Sequence, residues 1–204
     1  MDSVFRLRRF LDTPLPRKTS GCELCGATLA RDHGHVVDIE QRRLMCACRP
    51  CYLLFTHSGA AGGKFRSVPD RVVKLPDAVL HSARWEALDI PVGIAFFLHH
   101  SSRGKIVAFY PSPAGATESG LPLETWDELT GTHPVLTTME PDTEALLVSR
   151  RPHKTEAWLL PVDACYELVG RIRRQWTGFD GGPEAWRDID EFLSGLSQRE
   201  RSCA

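Results

Sequence analysis

The pattern of hydrophobic and polar residues predicts short strands through the middle of the chain. Five apolar segments have the length and composition of strands, and they run over 71–75, 92–99, 105–110, 144–149 and 156–160. Short turns separate the second segment from the third and the fourth from the fifth, and such turns join antiparallel neighbours. We therefore expect a mainly antiparallel sheet.

Helices are predicted between these strands and after them. The segments 77–88 and 123–129 are short candidates. Near the C-terminus, Asp163 is expected to cap a helix with apolar residues at helical spacing, and Pro183 is expected to begin a second amphipathic helix. Strands followed by helices in this order indicate an α+β domain, which we place at 68–198.

Closer to the N-terminus, four cysteines stand as two CxxC pairs with 22 residues between them. Two residues between cysteines allow both sulfurs of a pair to face one ion, and two pairs supply the tetrahedral thiolate shell that zinc prefers. The sequence therefore predicts a zinc site, with iron as the alternative metal. Its ligands are Cys22, Cys25, Cys48 and Cys51.

The residues around the cysteines predict the fold of this metal module. Gly26 suits a knuckle with positive φ, and the segments 35–39 and 43–47 have the pattern of two strands around a turn. An apolar stretch that begins at Tyr52 follows the second pair and favours a short helix. Knuckle, hairpin and helix in this order are typical of a treble clef, and a zinc ribbon with a strand after the second pair is the close alternative.

Three further residues near the pairs carry metal-binding groups. Cys46 is either a small residue packed on the hairpin or a reserve ligand, and His33 and His35 are either surface residues or reserve ligands. A fifth thiol also admits an iron site, because soft thiolates select iron as well. The knuckle resembles that of the rubredoxins, although their second knuckle carries a glycine where this chain has Tyr52. A rubredoxin-like redox protein with iron at the same four cysteines is therefore the first alternative function.

Catalytic motifs are weak. The segment 32–35 resembles part of the His-Asn-His nucleases, but the chain contains no asparagine and has Tyr52 where those enzymes have a histidine. The glycine-rich segment 58–63 precedes Lys64 but has Phe65 where a phosphate-binding loop needs serine or threonine. We therefore expect a protein without catalytic activity. We also expect the segment 111–120 to be a loop, and the sequence leaves open whether it binds a ligand.

Charge is distributed unevenly along a chain whose net charge is −1. Residues 1–75 carry 13 lysines and arginines against 7 acidic residues, and the rest carries 12 against 19. A basic front attracts an acidic protein or nucleic acid. We expect a protein partner at Arg42, Arg43 and Arg49; a nucleic-acid-binding module is the second alternative, although no aromatic residues alternate with these arginines.

The same features divide the chain and place it in the cell. Seven cysteines, five of them clustered, fit a reducing compartment, and no apolar run approaches the ~20 residues of a membrane span. We expect a cytoplasmic protein without membrane contact. Its expected parts are a basic segment (1–19), the metal module (20–57), a glycine-rich linker (58–67), the α+β domain (68–198) and a tail (199–204).

Several sequence stretches together resemble an uncharacterised bacterial family that is commonest in actinobacteria. They are CELCGA, CACRPCYLLF, YPSPAGATES, VDACYELVGRIR and WTGFDGGPEAW, and the similarity runs over 21–196. Members of that family tend to be encoded beside nickel-iron hydrogenase genes and their maturation factors. The resemblance implies a genomic neighbourhood and not a mechanism. Together with the weak catalytic motifs, it leads us to expect a non-catalytic accessory or scaffold protein in hydrogenase assembly, with a hydrogenase subunit or maturation factor as the acidic partner.

Overall fold

The computed structural model describes residues 21–75, 85–86, 90, 92–119, 123–151, 154–178 and 181–203, and these residues form an α+β fold with antiparallel sheets. The strands are β1 (Gly34–Asp38), β2 (Arg43–Ala47), β3 (Phe65–Ser67), β4 (Val73–Leu75), β5 (Ile94–His100), β6 (Lys105–Ser112), β7 (Gly115–Ser119), β8 (Glu144–Arg151) and β9 (Lys154–Pro161). The α-helices are α1 (Arg49–Leu54), α2 (Leu123–Thr132), α3 (Val162–Gln175) and α4 (Gly182–Cys203).

The small N-terminal sheet has the strand order β2-β1-β3. Strands β1 and β2 form the predicted hairpin, with His35 opposite Cys46 and Val37 opposite Leu44. The chain then enters α1, whose first turn contains Pro50, a residue whose fixed φ suits a helix start. A knuckle, a hairpin and then a helix match the treble clef better than the zinc ribbon.

The large sheet has six strands in the order β4-β9-β8-β5-β6-β7. Five successive residues at the start of β5 are buried, as are six at the start of β8. Neighbouring residues of a strand point to opposite faces, so both faces of these central strands are covered. Helices α3 and α4 pack on one another and close this core through the apolar stripes that the sequence predicts.

Two strands were not expected from the sequence. Strand β7 lies in the predicted loop 111–120 and pairs with β6, from Ser112 opposite Gly115 to Ala108 opposite Ser119. Strand β3 lies in the predicted linker 58–67 and pairs with β1, while Ala60–Gly63 form a 3-10 turn. Part of the linker is therefore regular structure, because the edge of β1 offers backbone partners to an otherwise weak segment.

The helix starts differ in part from the predictions. Helix α3 begins at Val162 after Pro161, so Asp163 lies in its first turn and is not its N-cap. Pro183 does lie in the first turn of α4, as predicted. Most of the predicted helix 77–88 lies outside the described residues, apart from residues 85–86, which are helical.

The metal module and the large sheet share packing. Val37 of β1 belongs to the core of the large sheet, and Leu44 of β2 packs against that core, whereas Val36 belongs to the small core of the module. The β1–β2 hairpin therefore has one face on the cysteine knuckle and the other on the main domain. The independent folding of 68–198 stays a prediction. None of the helices in the described ranges combines the length and apolar character needed to cross a membrane.

Candidate metal centre

Four cysteines converge where the knuckle meets α1. Cys22 and Cys25 lie in the knuckle, closed by hydrogen bonds from Cys22 N to Ala27 O (2.7 Å) and from Gly26 N to Cys22 O (2.8 Å). Gly26 has a φ of 76°, which glycine adopts without strain. Cys48 immediately precedes α1, and Cys51 lies in its first turn. The predicted ligands therefore come together as the sequence spacing indicates.

The distances suit one metal ion. The four sulfurs all lie within 4.8 Å of one another, and Cys25 Sγ lies 3.6 Å from Cys48 Sγ. A tetrahedral ion with bonds of about 2.3 Å to sulfur holds its ligands about 3.8 Å apart. A disulfide needs about 2.05 Å, and all four thiols are free. The cluster can thus hold a metal ion.

The electrostatics of Cys22 and Cys51 also favour a bound cation. Burial raises the pKa of Cys22, but hydrogen bonds with the backbone of Cys48, Leu24 and Cys25 outweigh it and lower that pKa to about 6. Side-chain hydrogen bonds with Cys25 and Cys48 raise the pKa of Cys51 to about 12. Closely spaced sulfurs cannot all ionise without a cation, and a bound metal ion relieves this repulsion.

The core around the cysteines is small. Its buried members are Cys22, Val36, Ala47 and Cys51, with partly buried neighbours that include Tyr52 and Phe65. So few buried apolar residues supply little of the free energy that folding needs. A metal ion held by the four thiolates would supply stabilisation that this small core lacks.

The three reserve ligands form a group of their own. His33, His35 and Cys46 have ligand atoms within 4.8 Å of one another, separate from the group of four cysteines. His35 and Cys46 are opposite one another in the β1–β2 ladder, and the imidazole rings of His33 and His35 have centroids 5.0 Å apart. The sequence identifies these residues but not their grouping.

The sequence predicted no binding role for Asp163, which lies beside this group. The carboxylate of Asp163, on α3, lies 2.8 Å from Nδ1 of His35. The two residues are 128 positions apart, so no local signal connects them. A wide groove opens beside this contact, between the module and the main domain, and His33, Arg49, Tyr52 and Arg199 also line it.

The three predicted partner-binding arginines are exposed and have different neighbours. Arg42 lies in the hairpin turn with a φ of 51°. Arg43 lies 3.6 Å from a carboxylate oxygen of Glu23, and the guanidinium of Arg49 lies 5.5 Å from the centre of the Tyr52 ring. Their role in binding stays a prediction.

Comparison with known proteins matches the chain to a protein family. A family model described as a family of unknown function, DUF5947, covers residues 21–200. No curated protein and no solved structure matches the chain.

Proposed function

The chain belongs to the DUF5947 family, and we propose that it is a non-catalytic accessory protein whose four-cysteine centre holds zinc and shapes a surface for another protein. The observation that carries this proposal is the convergence of four sulfurs on one point. Four thiolates close the coordination shell of zinc against water and substrate, as in structural rather than catalytic sites.

The proposed contact surface comprises the outer side of α1 and the exposed arginines of the hairpin, Arg42 and Arg43. Cys51 faces inward from this helix, whereas Leu53 and Leu54 are 50% and 64% exposed. Arg49 lies one turn before Leu53, so a basic group borders the exposed leucines. Apolar anchors beside positive charge suit an acidic protein with a hydrophobic patch.

The identity of that partner rests on sequence resemblance. Because the related proteins tend to be encoded beside nickel-iron hydrogenase genes, we propose a hydrogenase subunit or a hydrogenase maturation factor. A cytoplasmic site of action follows from this proposal.

Affinity capture from the native host tests the partner. The tagged protein should recover a hydrogenase subunit or maturation factor, and the variant Arg42→Glu/Arg43→Glu/Arg49→Glu should lose it while it keeps its zinc. Arg173→Glu/Arg174→Glu/Arg187→Glu makes the same change in net charge on α3 and α4 and should still capture it. Equal loss in both variants would show that net charge, and not this surface, governs binding.

Metal analysis tests the centre itself. Protein purified without air should contain zinc at the four cysteines and be colourless. A coloured iron-thiolate protein that transfers electrons would instead support the rubredoxin-like alternative.

A further inference from the structure

The group formed by His33, His35 and Cys46 has the composition of a metal site. Its ligand atoms lie within 4.8 Å of one another, and each of the three residues is partly buried. Two imidazoles and one thiolate form a donor set that suits borderline divalent ions such as zinc, cobalt and nickel.

The arrangement follows from the hairpin. His33 immediately precedes β1 and His35 lies within it, and the centroids of their rings are 5.0 Å apart, so the two side chains lie on the same face of the hairpin. The ladder places Cys46 opposite His35, on that face. Two of the three ligands therefore come from adjacent, hydrogen-bonded strands, and the third comes from the residue just before β1.

Hydrogen bonds leave one nitrogen of each histidine available. Nδ1 of His33 lies 3.0 Å from the carbonyl oxygen of Ala30, which can only accept, so this nitrogen carries the proton. Nε2 of His33 is then a lone-pair nitrogen, and it is buried without a hydrogen-bond partner in the described structure. A buried nitrogen with a free lone pair is what a metal ion requires.

His35 has the same arrangement with a stronger orienting partner. Its Nδ1 lies 2.8 Å from Oδ2 of Asp163, so in the neutral ring Nδ1 donates to this carboxylate and Nε2 carries the lone pair. Histidines that bind metal ions commonly donate their other N–H to a carboxylate or carbonyl, which fixes the ring and increases its basicity. Both histidines of this group meet that description.

We propose that His33, His35 and Cys46 bind a second divalent transition-metal ion, separate from the four-cysteine centre. Three protein ligands leave one tetrahedral position for water or an external ligand. Both histidines line the groove between the module and the main domain, so we expect an external ligand to reach that position from the groove. The two centres thus differ in kind, since the first has a closed shell and the second an open one.

Cobalt titration tests this site on the full chain. Protein that already carries one zinc per chain is titrated with Co²⁺ under reducing conditions without air. We expect one further equivalent to bind without zinc release, with the visible bands of a tetrahedral ion and a single thiolate-to-cobalt charge-transfer band.

Variants identify the ligands. Cys46→Ser should remove the charge-transfer band. Asp163→Asn changes a positioning residue and should weaken Co²⁺ binding by about 10- to 100-fold. His33→Gln removes a ligand and should weaken Co²⁺ binding by more than that. His57→Gln changes an exposed histidine of the same module and should leave binding unchanged. Each variant should keep its one zinc, which reports on the four-cysteine centre independently.

Three results would overturn the proposal. They are the absence of a second equivalent in the zinc-loaded protein, entry of cobalt only with release of zinc, and a charge-transfer band that survives in both Cys46→Ser and Cys46→Ala.

Discussion

Gly34 is held against the aromatic ring of Tyr52. A Cβ at Gly34 would lie 2.4 Å from Cδ2 of Tyr52, and the ring cannot retreat freely because its hydroxyl donates a hydrogen bond to Val68 O at 2.9 Å. This glycine is required by the close approach of a side chain and not by a positive φ. It also begins β1, between the two histidines of the proposed second site.

We expect Gly34→Ala to destabilise the protein by about 1–3 kcal/mol, because overpacking of this size forces neighbours to shift. The matched control is Gly170→Ala in the middle of α3, where a Cβ meets nothing within 4 Å. That change should be neutral or stabilise by up to about 1 kcal/mol, since alanine favours helix. Urea unfolding measures both, and a Gly34→Ala protein as stable as the wild type would contradict the steric argument.

A second residue, Asp142, stabilises a turn by its negative charge. Burial raises the pKa of this carboxyl, but hydrogen bonds with His100 and Ser101 outweigh burial and lower its pKa. Its Oδ1 accepts a hydrogen bond from Ser101 N at 3.0 Å. Because the folded pKa is depressed, the stabilisation is complete above the unfolded pKa of about 3.9 and is lost as pH falls through the folded value.

Asp142→Asn should therefore cost about 1–3 kcal/mol at neutral pH, through loss of hydrogen bonds to a charged acceptor. The difference in free energy of unfolding between wild type and variant should shrink as the pH falls below about 4. Denaturation of both proteins across pH 3 to 7 provides the measurement. A difference that stays constant over this range would show that the charge of Asp142 plays no part.

At the scale of single residues, the sequence identifies the chemistry better than its arrangement. The CxxC spacing is local, so it reports directly on geometry, and all four predicted cysteines meet. The contact between His35 and Asp163 joins distant parts of the chain, and only the packing of α3 against the hairpin creates it. The spacing of His33 and His35 beside the predicted hairpin was the available signal for the second group. Only the structure gives the strand register that places Cys46 opposite His35.

At the scale of elements, a strand can be predicted from the sequence when its own residues carry a clear hydrophobic pattern. Strands β5, β8 and β9 are apolar over most of their length, so their positions follow from the sequence pattern. Strand β7 reads GATES and β3 has three residues, so neither carries a hydrophobic signal of its own. Both exist because a neighbouring strand offers an unpaired edge, which depends on the tertiary fold.

An ion pair joins the chain just before β4 to the start of β8. Nε of Arg71 donates to Oε1 of Glu144 at 2.8 Å, and its terminal nitrogen lies 2.5 Å from Oε2. The side chain of Glu144 is 1% exposed, so its charge has exchanged water for this bidentate partner. Glu144 also accepts a hydrogen bond from Glu140 N at 2.9 Å.

Arg71→Met should destabilise the protein by about 2–3 kcal/mol, because the buried carboxylate loses its partner; the half-exposed arginine keeps the cost below that of a fully buried pair. The control is Arg103→Met, which breaks a 3.3 Å pair with the exposed Glu118 and should cost under about 1 kcal/mol. Thermal or urea unfolding compares them. Similar losses in the two variants would refute the special role of burial at Glu144.

For the whole molecule, the metal module and the main sheet differ in what stabilises them. The module has a core of four small or medium residues, whereas the large sheet has an extensive core of its own. Structural zinc contributes about 10 to 16 kcal/mol of apparent binding energy at neutral pH. The module should therefore depend on the metal far more than the sheet does.

Chelation of the metal should abolish hydrogen-exchange protection over residues 21–57 while β5, β8 and β9 stay protected. Protection at Val37 should be lost with the module, although its side chain packs on the main core. Exchange measured before and after complete metal removal, with metal content determined on the same sample, makes the comparison. An unchanged module after metal loss would mean that protein packing alone holds it.

The distance in sequence between His35 and Asp163 also has a consequence in time. During synthesis, the four cysteines leave the ribosome together, so the first metal centre can close early. Asp163 is 128 residues behind His35, and at about 5–20 residues per second it follows about 6–26 s later. His35 therefore acquires its orienting carboxylate only after this delay, so the proposed second site would be completed later than the four-cysteine centre.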